Sequence, residues 1–208
     1  MDAGLGLFLL SAVGISLTGV MLPGPMTAAT IAKGSGNKHA GALIGAGHGI
    51  VEIPLIIALY LGLSRFIDSP RVVQAIYLVG GLMLLYLGAR MLRSATRVSD
   101  QPSTAAGGLP SSALVTGMVI TATNPAFYIW WATVGMALIA GAGEFGPAGI
   151  VLLGLVHVPC DVVWSEFISV GTFESRRWWT QRVQKTVFSV CALLVGGFGV
   201  WFCLSAFL

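Results

Sequence analysis

Three stretches of this chain, 4–22, 40–63 and 186–208, contain almost no charged residue. Crossing a hydrocarbon core takes roughly 20 apolar residues as helix, so each stretch is long enough to do so. Composition agrees: of 208 residues 56% are hydrophobic and 9% charged, against about 25% charged in an ordinary soluble domain, which argues against a water-soluble fold. Lipid offers backbone polar groups no partner, so spans are helices or closed barrels, and the alternating pattern of barrel strands is absent. The sequence predicts an all-α integral membrane protein with six spans near 4–31, 40–63, 72–93, 110–140, 147–172 and 185–207. Met1-Asp2-Ala3 lacks the basic residues that open a signal peptide, so the first stretch is expected to be a retained span.

Orientation follows from the eleven Lys and Arg. Nine belong to alternate connections: Lys33 and Lys38, then Arg90, Arg93 and Arg97, then Arg176, Arg177, Arg182 and Lys185. Only Arg65 and Arg71 fall on the other side. Because basic loops stay in the cytoplasm, both termini are expected outside it, in the plasma membrane. Segment 94–109, rich in Ser, Thr, Gly and Pro, is expected to be a flexible cytoplasmic linker between a first unit, 1–93, and a second, 110–208. Trp178 and Trp179 fit interfacial anchors, whereas Trp130 and Trp131 fit either that role or a deeper place in the fourth span.

The two units repeat. Laying His48 on His157 puts Glu52 on Asp161 and Gly62 on Gly171, all at an offset of 109 residues. Farther on, Gly80-Gly81 and Tyr86 meet Gly196-Gly197 and Phe202 at an offset of 116, and Pro23-Gly24-Pro25 corresponds loosely to Asn124-Pro125. Three spans per unit is an odd number, so the second unit starts on the opposite side, giving an inverted-topology repeat.

Proline interrupts the first and fourth spans, at Pro23-Gly24-Pro25 and at Asn124-Pro125. Proline removes a helical hydrogen bond and clashes with the preceding turn. Backbone groups freed at membrane depth are tolerated where protein or a watery cavity satisfies them, and half-helix ends there can hold a substrate's charged groups. Paired interruptions therefore predict a substrate cavity formed by Pro23, Gly24, Pro25, Asn124 and Pro125, with Asn124 offering both donor and acceptor.

His48 and Glu52 in the second span, and His157 and Asp161 in the fifth, lie four residues apart, on one helix face. An acid at a bilayer centre costs about 2.5 to 3.5 kcal/mol, so these groups should face the bundle interior. A carboxylate beside an imidazole makes a site that exchanges protons in the accessible range, and these four residues are expected to carry coupling protons. Two alternatives compete. The pairs can serve as hydrogen-bonding glue, or His48, Glu52, His157 and Asp161 can ligate zinc or manganese, with Cys160 as a soft ligand one turn from His157. Glu166 lies on a different face from Asp161, without an assigned role. Gly41, Gly45 and Gly49 allow close approach of another helix. No catalytic triad, HExxH sequence or nucleotide fingerprint is present, and Gly34-Ser35-Gly36-Asn37-Lys38 lacks phosphate-loop spacing. Neither an enzyme, a cofactor nor a nucleic-acid partner is expected.

Pro23-Gly24-Pro25 late in the first span, the basic first loop, the Gly-rich second span and Thr123-Asn124-Pro125 in the fourth resemble the lysine exporter (LysE/RhtB) superfamily over nearly the whole chain. Residues 47–54 and Trp130-Trp131 look like its LysE-type translocator branch, often archaeal. Position 126 departs from the pattern, with Ala where the familiar exporters have Lys. The resemblance implies export of amino acids or related metabolites driven by protons, with relatives handling cadmium or manganese. The expected mechanism is alternating access between the two repeats. A non-transporting membrane scaffold is a further alternative, in which the four ionisable side chains would be sealed from any cavity. The glycine faces also permit a homodimer.

Overall fold

The computed structural model describes residues 3–21, 24–63, 70–96, 109–178 and 180–207, and these are helical with no strand among them. In chain order the helices are α1 (Ala3–Val20), α2 (Pro25–Gly34), α3 (Ala40–Ala58, extended by a wide turn Leu59–Leu63), α4 (Pro70–Thr96), α5 (Ala113–Ala122), α6 (Pro125–Trp130), α7 (Met136–Gly143), α8 (Gly146–Ser175) and α9 (Gln181–Ser205). A wide turn, Trp131–Gly135, joins α6 to α7. Five segments are long and apolar enough to cross a membrane, or six when α1 and α2, bent by 77°, are taken as one broken span.

Local chemistry explains the boundaries. Gly24 is extended before α2, and Pro25 opens that helix where its missing N–H costs nothing. Asn124 caps α6, its side-chain oxygen accepting from the Ala126 N–H at 3.2 Å, again with proline following. Ser112 and Thr180 cap α5 and α9 in the same way. Gly146, at φ 67°, makes the left-handed turn between α7 and α8. Prolines Pro54 and Pro159 lie inside α3 and α8, which continue past them.

Both breaks anticipated from proline are present, but their pieces come in opposite order. In the first broken span the longer helix precedes the break, whereas in the second the short α5 precedes the longer continuous segment Pro125–Gly143. Gly62 and Gly171 also differ: Gly62 has φ 102° at the end of its helix, whereas Gly171 sits within α8. Pro23 and residues 97–108 of the linker, together with Trp179, lie outside the described residues.

Glycine sets the packing. Methyl groups added at Gly41, Gly45 and Gly49 of α3 would meet Ser165, Val162 and Val158 of α8, so the two helices run antiparallel in close contact. On another face of α3, Gly47 meets the Leu114 carbonyl and Gly117 of α5 meets the Ile44 carbonyl. Helices α4 and α9 are likewise antiparallel, with Gly88 against Gly196 and Gly81 against Gly199. One apolar cluster gathers Ala28, Leu84, Ile120 and Val195 from α2, α4, α5 and α9. A second gathers Ala12, Ile56, Trp131 and Leu153. Leu7, Leu61, Val79, Leu155, Phe167 and Leu193 point outward, as a lipid-facing surface requires.

Candidate functional site

The antiparallel contact of α3 with α8 brings the two ionisable pairs into one buried cluster. His48 Nε2 lies 3.0 Å from Glu52 Oε1, as its position one turn earlier allows. His157 Nε2 reaches the same oxygen at 3.1 Å from across the helix crossing. Asp161 is close to both rings, its Oδ1 3.7 Å from His48 Nε2 and its Oδ2 3.6 Å from His157 Nε2.

Trp131, which the sequence left open between the interface and a deeper place in its span, completes the cluster together with two residues not singled out, Ser16 and Thr121. Trp131, fully buried in the wide turn after α6, donates its indole N–H to Glu52 Oε1 at 3.1 Å. Ser16 of α1 lies 2.6 Å from His157 Nδ1, and Thr121 of α5 lies 2.8 Å from His48 Nδ1. Each imidazole is thus held on one side by a hydroxyl from a broken span and on the other by an acid. Little in the pattern of residues marks these two hydroxyls, because Ser and Thr within helices ordinarily turn back to the carbonyl one turn earlier. Ser16 does that as well, donating to the Ala12 carbonyl at 2.6 Å.

Among the described residues two carboxylate oxygens are buried without a hydrogen-bond partner, Glu52 Oε2 and Asp161 Oδ2, and so is the Trp164 indole N–H. Leaving such a group unmade costs about 1–3 kcal/mol. These residues line a cavity of about 460 Å³, which also takes in Gly24 and Pro25 at the first break and Asn124 at the second. Its size falls within the roughly 300–1,000 Å³ of small-molecule pockets. The N-cap residue of α2 is Gly24, which makes no side-chain capping hydrogen bond, and Gly24, Pro25, Met26 and Thr27 line the cavity there. Asn124 is committed differently: its oxygen serves its own helix, leaving the amide N–H groups for a ligand. Pro125 is buried outside the cavity lining, its ring beside Gly80 of α4.

The remaining candidates separate from the cluster. Cys160 directs its Sγ to the Val156 carbonyl at 3.2 Å. The ligand atoms of His48, Glu52 and Asp161 come within 4.8 Å of one another, a set able to surround a cation. Glu166 sits at the start of α3, where Oε2 accepts from the Ala42 N–H at 2.9 Å and Oε1 pairs with His39. Nearby, Lys38 pairs with Glu174 at 2.7 Å and Arg176 donates to the Ser35 carbonyl at 2.9 Å, tying the first basic loop to the end of α8. Trp178 is exposed there, and Trp130 lines the cavity.

Residues 17–206 match the model of the family described as LysE type translocator. The chain is 30% identical over 135 residues to "Putative amino acid efflux protein YcgF" of Bacillus subtilis (strain 168), an alignment covering 64% of this chain and 63% of that protein. No solved structure matches the chain.

Proposed function

The chain belongs to the LysE type translocator family, a family of translocators rather than enzymes, and from that premise we propose that it exports small zwitterionic solutes, amino acids or metabolites like them, across the plasma membrane against inward proton movement. One observation carries this reading: a single cavity joins both helix breaks to a buried histidine–acid cluster with two unpartnered carboxylate oxygens. A substrate ammonium satisfies Glu52 Oε2 and Asp161 Oδ2, and a substrate carboxylate suits the uncapped start of α2, where the helix dipole is positive. The amino acid efflux named for the Bacillus subtilis relative points the same way.

Hydrogen-bond accounting supports proton exchange at this cluster. The Ser16 hydroxyl spends its one proton on the Ala12 carbonyl, so it accepts from His157 Nδ1–H. Thr121 has no such commitment and can donate to or accept from His48. His48 can therefore take up or release a proton while keeping both of its hydrogen bonds. A proton on His48 and a substrate ammonium at Glu52 and Asp161 then draw on the same two carboxylates, so each opposes the binding of the other and their movements are linked.

The helices are assigned as two inverted three-helix repeats, 1–93 and 110–208, joined by a cytoplasmic linker at 94–109 and with both termini outside the cytoplasm. Support comes from the antiparallel pairing of each helix with its counterpart, α3 with α8 and α4 with α9. Alternate exposure of the cavity follows from rocking one repeat against the other.

A divalent cation as cargo is the second reading, favoured by the convergence of His48, Glu52 and Asp161. Against it, Glu52 Oε1 already receives the Trp131 N–H, a donor that a cation on that oxygen would have to displace.

The test is efflux from proteoliposomes loaded with labelled amino acids. Movement of at least one zwitterionic amino acid is expected. Folded protein that moves none of them, yet carries manganese or zinc, would replace this reading with the second.

A further inference from the structure

The cavity is divided by chemistry. Every ionisable side chain lining it belongs to the one cluster of His48, Glu52, His157 and Asp161; no Lys, Arg or further acid is among the described lining residues. Beyond Asp161, α8 continues along the cavity as Trp164, Ser165 and Ile168, three, four and seven positions on, so within two turns the wall passes from charged residues to uncharged and largely apolar ones. The same cavity takes in Phe198, Trp201 and Phe202 of α9, with ring centroids 5.2 Å apart for Trp201 and Phe202 and 6.0 Å for Phe198 and Phe202. Met26 of α2 lines the cavity as well.

From this division we infer that the exported amino acid carries a bulky uncharged side chain, aliphatic or aromatic, which lies against Met26, Ile168, Phe198, Trp201 and Phe202. The inference rests on the transport reading above and narrows its substrate class. The ammonium and carboxylate are held at the cluster, the Trp164 N–H and the start of α2, so the side chain is what meets the aromatic wall. A second ammonium or a guanidinium on that side chain finds no counter-charge there. Attraction to the aromatic faces recovers only part of its lost hydration. An acidic side chain finds no cation either. A small polar side chain leaves the wall uncovered and loses the contacts that a hydrophobic pocket rewards, on the order of tenfold per methylene or more.

The test is competition for transport in proteoliposomes holding the full chain, with leucine, methionine, phenylalanine, serine, lysine and glutamate as probes. The first three are expected to compete at concentrations at least about tenfold lower than the last three. Phe198→Ala should weaken phenylalanine and leucine while leaving serine unchanged. Equal competition by lysine, glutamate or serine would overturn the inference while leaving the transport reading intact, as would a Phe198→Ala effect identical for every probe. The wild-type panel decides the matter even where that variant fails to fold. Failure of all six probes to compete would contradict the transport reading and this inference together.

Discussion

Glu52 on α3 and His157 on α8 stand 105 positions apart in the chain and 3.1 Å apart in the fold. The oxygen that receives His157 also receives His48 and the Trp131 indole. Three helical segments therefore converge on one atom, and the other oxygen of the same carboxylate is buried with no hydrogen-bond partner among the described residues.

The hydroxyls that hold the two imidazoles should matter for stability in proportion to their burial. Ser16→Ala leaves His157 Nδ1 without its partner, and Thr121→Val does the same to His48. Each is expected to cost about 1–3 kcal/mol, read as a lower midpoint of thermal unfolding in detergent. Thr121→Ser, which keeps the hydroxyl, should stay close to the wild type. A Thr121→Val midpoint equal to that of Thr121→Ser would show that the hydroxyl does not support the ring.

Helix contacts at glycine predict an asymmetry among glycines that sequence alone cannot rank. A methyl group at Gly47 or Gly117 would collide with the backbone carbonyl of Leu114 or Ile44, whereas Gly154 and Gly171 have open space around them. Gly47→Ala and Gly117→Ala should each destabilise the protein by about 1–3 kcal/mol. Gly154→Ala and Gly171→Ala should be neutral or slightly stabilising, since alanine is the better helix former. Comparing the four unfolding midpoints checks the α3–α5 crossing directly.

Glu166 is expected to act in architecture and not in transport. It caps α3 from a neighbouring helix through the Ala42 N–H, so Glu166→Ala should lower stability by about 0.5–2 kcal/mol. Transport per folded molecule should persist. Loss of proton-driven efflux in well-folded Glu166→Ala would place this residue in the coupling machinery instead.

Much of this arrangement is legible in the sequence, for a physical reason. Spans can be read because lipid forbids charge over their length, and His48, Glu52, His157 and Asp161 stand out because they break that rule at helical spacing. Trp131, Ser16 and Thr121 do not break it. An indole or hydroxyl in a span is commonplace, and only the fold reveals that these three aim at the cluster. Proline likewise marks both breaks without telling which piece is long or which ring lines the cavity. Pro25 is in the lining, while Pro125 is turned to Gly80. Asn124 is half legible: its amide suits a ligand, but its oxygen is claimed by the helix that it caps.

Proton coupling through the buried acids is the central claim, and a pH gradient imposed on proteoliposomes tests it most directly. Wild-type protein should drive a transported amino acid against its own gradient. Glu52→Gln and Asp161→Asn should lose that uphill movement, and whatever exchange of labelled for unlabelled substrate remains should need higher substrate concentrations, since the same carboxylates hold the ammonium. Undiminished gradient-driven transport in both variants would contradict the account.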